Sequence, residues 1–314
     1  MTARPARTLG RVLLTGGRGF LGTALRARLA RAGIDVVAAD ADVGDGSPGD
    51  GVVPFDLMRP AEIAALFAGP PFDTVLHCGA VSGPMVLADR PADIWRINAQ
   101  GTADLLEAAR RSGAGRVVVC SSVEIYGTRR RGILDEDAPP DPPGVYGASK
   151  LAAEAAVLGY ANGQRLDALA IRLGWIYGPG RRTPTMLDAL LRAVEDGRAF
   201  EVPAHPADAT HYLFVEDAVS GLLAAASAPA PTARVYNIAA PEGQTMGEVI
   251  DAVRRLRPGS RIAFAAADPS TDGPDGYSTR RARDELGFRA ATSLSDGMAL
   301  TMQALGSTPL PSGS

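Results

Sequence analysis

The sequence predicts an α/β protein with a doubly wound parallel sheet and a smaller mixed C-terminal lobe. Two observations lead to this prediction. Short apolar runs alternate with helical patterns through the first half of the chain, and such alternation favours a parallel sheet covered by helices on both faces. The alternation ends at the YGPG sequence of residues 177–180, after which Pro and Gly turns separate short elements of mixed type.

The predicted elements of the first half alternate as strand and helix. Strands are expected where short apolar runs meet turn residues, at 11–15, 35–39, 52–55, 74–78, 116–121 and 168–173. Helices are expected between them, at 20–32, 60–68, 91–112 and 146–162. The first helix has Leu21, Leu25 and Leu29 on one face and stops at Gly33. Residues 43–51 are rich in glycine and predict a loop.

The composition excludes several classes of protein. Of 314 residues, 46% are hydrophobic and 21% are charged, which is ordinary for a soluble globular protein. The 32 basic and 35 acidic side chains give a net charge of −3, so no basic excess points to nucleic acid. No apolar stretch approaches the roughly 20 residues of a membrane-spanning helix. The basic segment before the first strand lacks the apolar core of a secretory signal.

Cysteine usage predicts the cellular compartment. The two cysteines, Cys78 and Cys120, do not make a disulfide scaffold, so we expect a cytoplasmic protein. Both are expected to be small core side chains. No cluster of Cys, His and Asp residues has the spacing of a metal site, so no metal is predicted.

A glycine-rich stretch, TGGRGFLG at residues 15–22, joins the first strand to the first helix. In a dinucleotide-binding loop, Gly16 allows the tight turn, Gly19 lets the backbone approach a pyrophosphate, and Gly22 allows close helix–strand packing. The free N–H groups at the start of the following helix then face the phosphates. The sequence therefore predicts a Rossmann-type nucleotide site.

The same region predicts NAD rather than NADP as the cofactor. Asp40 ends the second strand, 24 residues after Gly16, where a carboxylate binds the ribose hydroxyls and repels a 2′-phosphate. Arg18 supports the alternative, because an arginine in the loop can meet that phosphate; otherwise it is a solvated loop residue. Phe20 and Leu21 begin the helix and complete the predicted phosphate-binding segment.

The sequence YGASK at residues 146–150 places Tyr146 and Lys150 four residues apart, on one face of a helix. A tyrosine has a pKa of about 10, and a nearby ammonium and a positively charged nicotinamide both favour the phenolate. Tyr146 is therefore predicted to take a hydroxyl proton while hydride leaves to NAD⁺. Lys150 is the only lysine of the chain.

Together these motifs resemble the extended short-chain dehydrogenase/reductase family, in particular its NAD-dependent epimerase/dehydratase branch. Residues 15–22 match the family pattern TGGxGFxG, and residues 146–150 match YxxxK. Further segments similar to family motifs are Asp56-Leu57, LHCGA at 76–80, NAQGT at 98–102 and SSVEIYG at 121–127. The resemblance covers residues 11–220 well and the remainder loosely.

The resemblance implies roles for particular residues. Asp56 and Leu57 resemble the element that binds adenine. Asn98 is assigned to the cofactor site, where it braces the active-site helix and strand. Ser122 is implied as the third catalytic group, which hydrogen-bonds the substrate oxygen. Glu124 is implied as the base that removes a proton beside the new ketone in dehydratases, or it is a structural residue that forms a salt bridge or caps a loop.

The substrate end departs from the family pattern. Trp175 occupies the position of an asparagine that contacts sugar nucleotides, and Thr210 that of an arginine that clamps the diphosphate. Residues 268–275 also lack an arginine, although bidentate arginine is the usual ligand of a diphosphate. Trp175 either shrinks the pocket, stacks on a sugar ring or packs under the lobe. These departures weaken the case for a nucleoside-diphosphate sugar.

Further residues are predicted to contact the substrate. Ser82 and Met85 follow the carboxyl end of a strand, where ligands bind in such sheets. Arg181, Arg182 and His211 either replace the missing phosphate clamp or hold the carboxylate of a smaller substrate.

The chain divides unequally in this interpretation. Residues 1–180 are expected to form the NAD-binding Rossmann domain with the catalytic group. Residues 181–305 are expected to form mainly the substrate-binding lobe, with some segments returning to the core. Residues 306–314 are expected to be disordered. Apolar residues on the helix at 146–162, and the family's usual pairing of it with the helix at 91–112, predict a homodimer.

Three functions are compatible with these residues. The leading one is removal of hydride from a secondary hydroxyl carbon of a sugar or sugar-nucleotide substrate, followed by epimerisation or dehydration, with Tyr146 as general base. The alternative is net NAD-dependent dehydrogenation of a small non-nucleotide polyol or sugar acid. The third is a non-catalytic NAD(P)-sensing regulator, which the intact Ser122, Tyr146 and Lys150 disfavour.

Overall fold

The core of the structure, a computed structural model, is a seven-stranded parallel sheet. The structure describes residues 5–41, 51–128, 131–240, 243–266 and 273–306. The predicted loop at 43–51 lies outside the described residues except for Gly51, and the predicted disordered tail lies outside them except for Gly306.

The strands follow the chain in this order: β1 (Val12–Thr15), β2 (Val36–Asp40), β3 (Val52–Pro54), β4 (Thr74–His77), β5 (Arg116–Ser122), β6 (Ile133–Leu134), β7 (Asp167–Leu173), β8 (Trp175–Tyr177), β9 (Phe200–Val202), β10 (Ala209–Thr210), β11 (Tyr212–Phe214), β12 (Val235–Ile238), β13 (Gln244–Thr245), β14 (Ile262–Phe264) and β15 (Gly276–Tyr277). The central sheet has the order β12–β7–β5–β4–β1–β2–β3, and every pair in it is parallel. This confirms the predicted doubly wound sheet. The six N-terminal strands of this sheet agree with the predicted ends to within one residue.

The strand order reverses between β1 and β4, which leaves a crevice at their carboxyl ends. The glycine loop follows β1 at this point. The seventh strand, β12, comes from the C-terminal third of the chain and pairs with β7, so that part of the chain contributes to the central sheet.

The helices are α1 (Phe20–Arg31), α2 (Pro60–Leu66), α3 (Pro91–Trp95), α4 (Gly101–Ser112), α5 (Val145–Gly163), α6 (Met186–Glu195), α7 (Val215–Ser227), α8 (Met246–Leu256), α9 (Arg280–Leu286) and α10 (Leu294–Gly306). The segment predicted as one helix at 91–112 is continuous, but a π-helical turn at Arg96–Gln100 separates α3 from α4. Such turns are frequent at functional sites, and this one carries Asn98.

Helices cover both faces of the sheet because alternate strand residues point to opposite sides. Val12 and Leu14 of β1 pack with Leu25 of α1 and Leu222 of α7 on one face. Leu13 packs on the other face with apolar side chains of α2, α4 and α5. Apolar side chains therefore cover both faces of the central strands, and the ends of the strands are the part of the sheet that a ligand can reach.

A smaller lobe has its own apolar core, formed by α6, α8 and α10 with β9 and β14. Tyr177 of β8 and Phe214 of β11 join this core and connect it to the sheet domain. Within the described ranges, no helix combines the length and the apolar character that crossing a membrane requires.

Candidate active site

A cleft of about 1050 Å³ lies over the carboxyl ends of β1, β4 and β5. The glycine loop and the start of α1 form one wall, and α5 forms another. The segment that follows β8 and the side chain of Tyr212 close the cleft from the lobe side. This is the place where open α/β sheets bind their ligands.

The glycine loop packs as its spacing predicts. Gly16 has φ of +72°, and a Cβ there would lie 2.7 Å from the carbonyl carbon of Cys78. A Cβ on Gly22 would overlap the carbonyl oxygen of Gly16. Gly19, Phe20 and Leu21 line the same wall, at the N-terminus of α1. The residues present therefore fit a dinucleotide pyrophosphate, because the loop leaves backbone where side chains would fill the space.

Carboxylates stand at the far end of this wall. Asp40, Asp56 and Leu57 line the cleft there. Asp40 accepts a hydrogen bond from the backbone N–H of Arg18, with Oδ2 2.8 Å from the nitrogen. This bond ties the end of β2 to the glycine loop and holds the carboxylate beside it. Asp56 accepts from the backbone N–H of Met58 at 2.8 Å.

The predicted catalytic residues share the middle of the cleft. Lys150 is buried, and its Nζ donates to the carbonyl oxygen of Cys120 at 3.0 Å. Burial lowers the pKa of Lys150. Burial raises the pKa of Tyr146 to about 12, against a hydrogen bond with Ser122 and the charge of Arg181, both of which lower it. The phenol is therefore the favoured form of Tyr146 unless further positive charge enters the cleft.

Glu124 reaches the cleft because a short 3-10 helix, Val123–Tyr126, follows β5 directly. The Ser122 hydroxyl caps this helix and accepts from the backbone N–H of Glu124 at 3.1 Å. Burial raises the pKa of Glu124. The turn thus carries a proton-binding carboxyl to the same side of the cleft as the serine hydroxyl.

The predicted substrate contacts occupy the opposite end from Asp40. Ser82, Met85, Trp175 and Arg182 all line the cleft. Met85 is 53% exposed and Trp175 is 41% exposed, so both stand at the open rim rather than inside the core. The indole of Trp175 packs edge-on against the ring of Tyr212 at 5.8 Å.

Arg181, Thr183, Thr185 and Tyr212 also line this end. Of these four residues, the sequence predicts only Arg181 as a substrate contact, together with Arg182. Position along the chain could have indicated the others: Thr183 and Thr185 follow the YGPG turn, and Tyr212 begins a strand that pairs in parallel with β8. The pairing of β8 with β11 is a long-range contact that no local sequence motif predicts.

The model of the NAD dependent epimerase/dehydratase family matches residues 12–239. The chain belongs to this family. Its solved neighbours include MoeE5 and a Thermus thermophilus UDP-glucose 4-epimerase, both in complexes that contain NAD. The protein is therefore an NAD-dependent enzyme of this family, and NAD is its cofactor, as predicted.

This epimerase/dehydratase-family protein is 30% identical over 270 residues to a UDP-glucose 4-epimerase of Streptomyces lividans, covering 79% of this chain and 81% of the relative. It is 32% identical over 227 residues to a 3-diazoavenalumate denitrifying reductase of a Streptomyces species, covering 70% and 73% of the two chains. A structure of MoeE5 with UDP-glucuronic acid and NAD superposes with a TM-score of 0.80 at 29% identity, covering 94% and 98%. Because these relatives include epimerases and a reductase, the family alone does not select the reaction.

Asn98 differs from its assignment to the cofactor site. It is buried in the π-helical turn and lies outside the set of residues that line the cleft. Its Oδ1 accepts from the backbone N–H of Val81 at 2.8 Å, and its Nδ2 donates to Ser149 Oγ at 3.0 Å. Asn98 therefore braces the loop after β4 against α5, as the family resemblance implies, and its side chain does not line the cleft.

His211 also lies behind the cleft wall rather than on it. Its ring packs edge-on against Tyr277 at 4.7 Å and Trp175 at 5.3 Å. Burial lowers the pKa of His211 to about 4, so the ring is neutral and cannot replace a phosphate clamp. Thr210 beside it is buried, and its hydroxyl donates to the carbonyl oxygen of Gln244 at 3.1 Å. The expected arginine position thus points into the lobe.

The two cysteines are in contact with each other and with the cleft. Their Sγ atoms are 3.3 Å apart, and both residues line the cleft below the glycine loop. Cys120 is buried, whereas Cys78 is only half-buried, so the expectation of two core side chains holds for Cys120 alone. Hydrogen bonding with Cys120 raises the pKa of the Cys78 thiol. No metal-binding group of His, Cys, Asp and Glu occurs in the part of the chain that the structure describes.

Proposed function

We propose that this protein removes hydride from a secondary hydroxyl carbon of a sugar or sugar-nucleotide substrate, with Tyr146 as the general base. The observation that supports it most is that Ser122, Tyr146 and Lys150 line one cleft, with Lys150 one helical turn from Tyr146 on α5. When bound, NAD supplies the hydride acceptor and the positive nicotinamide ring.

The chain's own residues divide the remaining work. Ser122 would hold the substrate oxygen beside Tyr146 after the Tyr146 phenol has lost its own proton, so that one proton passes from the substrate hydroxyl to the phenolate Oη as hydride leaves the same carbon. Lys150 is fixed by the carbonyl of Cys120, and its charge stabilises the phenolate side of this equilibrium. Burial keeps water from competing for the proton, and the family relationship supports the same assignment.

The test of this base is Tyr146→Phe, which keeps the ring and removes the oxygen. We expect turnover to fall by about 10² to 10⁴, as for the loss of a general base, while the Kd for NAD stays nearly unchanged. Tyr160→Phe is the matched control, because Tyr160 lies on the same helix and outside the cleft lining. Near-normal turnover of the Tyr146→Phe enzyme would contradict the assignment of Tyr146 as the general base.

Glu124 supports a second step, in which a proton leaves the carbon beside the new carbonyl during epimerisation or dehydration. Its carboxyl lines the cleft, and its pKa is raised by burial, which suits proton abstraction near neutral pH. In deuterated water, we expect deuterium in the product carbon with the wild type and a loss of it with Glu124→Gln. Absence of deuterium in both proteins would make Glu124 a structural residue.

A second candidate function is net dehydrogenation of a small polyol or sugar acid, with NADH released. The specific observation in its favour is Thr210, which is buried in the lobe where an arginine would clamp a diphosphate. A purified protein that reduces added NAD⁺ in proportion to product would favour this candidate. Tightly held NADH, absorbing near 340 nm after dialysis, would favour epimerisation or dehydration.

We also propose a homodimer through α3–α4 and α5. Trp95 is 46% exposed and Leu158 is 36% exposed, and these large apolar side chains lie on those helices. Light scattering at micromolar concentration tests this assembly, and a monomeric mass would contradict it. A cytoplasmic location stays a prediction from the cysteine usage.

A further inference from the structure

The inference concerns Arg181, which lines the substrate end of the cleft and forms no ion pair with a carboxylate among the residues that the structure describes. Two guanidiniums are buried among those residues, and each has an acid beside it. Arg172 pairs with Glu154 at 2.8 Å, and Arg116 pairs with Asp167 at 2.8 Å. Arg181 is only partly buried, but taking a cation out of water without such a partner is still costly, so the absence of one calls for a physical reason.

The backbone holds the Arg181 guanidinium in place. Its Nη1 donates to the carbonyl oxygen of Ile176 at 2.6 Å, and its Nε donates to that of Thr183 at 3.1 Å. The cation also lies over the ring of Phe20, 5.7 Å from the ring centre. These two carbonyl oxygens fix the planar guanidinium. Its Nη2 has no hydrogen-bond partner in the part of the chain that the structure describes.

Neither Asp188 nor Glu124 forms an ion pair with Arg181 in the part of the chain that the structure describes. Asp188 forms its ion pair with Arg192 at 2.8 Å. Glu124 lines the same cleft, and burial raises its pKa. Burial lowers the pKa of Arg181, and the charge of Asp188 offsets part of that effect.

The position of this charge relates it to the reacting group. Arg181 lines the cleft with Tyr146 and lowers the pKa of that phenol. The cofactor's own phosphates have the glycine loop and the N-terminus of α1. The open edge of the guanidinium therefore faces the part of the cleft that the substrate would fill.

We propose that Arg181 binds a carboxylate of the substrate, so that the substrate class is a sugar acid rather than a neutral sugar. This inference rests on the proposed function, because it assigns the substrate of the same cleft. A guanidinium pairs with carboxylate through parallel N–H bonds, and Nη1 and Nη2 still offer such an edge. Arg182 also lines this end of the cleft, whereas the buried Thr210 supplies no positive charge there.

The test is an equilibrium titration of the NAD-loaded protein with two matched pairs of ligands. D-galacturonate and D-galactose differ at one carbon, as do UDP-glucuronic acid and UDP-glucose. We expect the wild type to bind the acid of at least one pair more tightly than its neutral partner. Arg181→Met should weaken that acid by roughly 10- to 100-fold, the range for a lost charged hydrogen bond, and leave the neutral partner nearly unchanged. Arg181→Lys should recover part of the loss.

Arg198→Met is the control, because Arg198 is an exposed arginine paired with Asp196 and lies outside the cleft lining. Equal binding of acid and neutral partner by the wild type would overturn the inference, and so would undetectable binding of both acids. An Arg181→Met protein that weakens both members alike, or that loses NAD instead, would also overturn it. Tyr146→Phe, titrated in parallel, should keep the preference for the acid. If the wild type discriminates but turns nothing over, the proposed function fails and this inference stands.

Discussion

The two ends of the cleft are built on different physical principles. At the cofactor end, backbone meets backbone: the glycine loop of residues 15–22 packs directly on the peptide that follows β4. At the substrate end, side chains from separate segments converge, among them Met85, Glu124, Trp175 and Arg181. The first end depends on the absence of side chains, and the second depends on which side chains are present.

This difference teaches how one fold keeps its cofactor while it changes substrates. A backbone cradle tolerates no added atoms, so its sequence is constrained to glycine at fixed spacing. Loops that follow the strands can exchange side chains without disturbing the sheet. Trp175 and Thr210, which depart from the family pattern, both lie on the substrate side of the molecule.

The largest expected effect concerns a buried ion pair that lies beneath both ends of the cleft. Arg172 of β7 and Glu154 of α5 form a buried ion pair, with side chains only 7% and 3% exposed. Arg172→Met should lower the free energy of unfolding by about 3–5 kcal/mol, because it leaves Glu154 charged and buried alone. Urea denaturation without added NAD measures this change.

The control for that prediction is an exposed pair of the same kind. Arg192 and Asp188 are also 2.8 Å apart, but the arginine is half-exposed, so Arg192→Met should cost only about 0–1 kcal/mol. Similar losses for the two variants would mean that the Arg172–Glu154 pair does not hold the catalytic helix on the sheet. A smaller loss with Glu154→Gln added to Arg172→Met would support the assigned cause.

The second expected effect tests the cofactor end. Gly22→Ala should weaken NAD binding by roughly 10- to 100-fold, since the new Cβ overlaps the Gly16 carbonyl oxygen and overpacking costs about 1–3 kcal/mol. Gly159→Ala is the control: it lies in α5 with no atom within 4 Å of the added Cβ, so it should leave NAD binding intact. Calorimetric titration with NAD separates the two. Unchanged affinity after Gly22→Ala would show that the loop can relax.

The sequence predicts the cofactor end of the cleft better than the substrate end, for a physical reason. The glycine loop, the six strands and the helix with Tyr146 are local patterns, and the structure places them as predicted. The direction of a side chain on an irregular segment is not local. The motif around Asn98 predicts the bracing that its bonds to Val81 and Ser149 provide, but not that the side chain lies outside the cleft lining. The sequence also does not show that His211 lies behind the cleft wall. Arg181 and Arg182 are adjacent in sequence, and the sequence does not show that the backbone carbonyls of Ile176 and Thr183 hold the guanidinium of Arg181.

A third and smaller effect concerns the choice of nucleotide. Asp40 lines the cleft and accepts a hydrogen bond from the loop at Arg18, so we expect NAD to bind more tightly than NADP because a 2′-phosphate would meet this carboxylate. Asp40→Ala should narrow the preference by about tenfold, which corresponds to about 1.4 kcal/mol. Parallel titrations with NAD and NADP test this. Preference for NADP in the wild type would instead make Arg18 a ligand of the 2′-phosphate.

The smallest effect returns to the substrate end, where the carboxyl of Glu124 is partly buried. Burial raises the pKa of Glu124 above the ordinary 4.5, so the folded protein holds this proton more tightly than the unfolded chain does. The resulting stabilisation is fully present below pH 4.5 and is lost as pH rises through the folded-state pKa.

Glu124→Gln removes this dependence of stability on pH. The variant should therefore equal the wild type at pH 4 and exceed it at pH 8, by less than about 1 kcal/mol because the group is partly open to solvent. Chemical denaturation at the two pH values measures the difference. A variant less stable than the wild type at pH 8 would mean that the Glu124 carboxylate is stabilised in place, and it would then be a structural group rather than one held ready to take a proton.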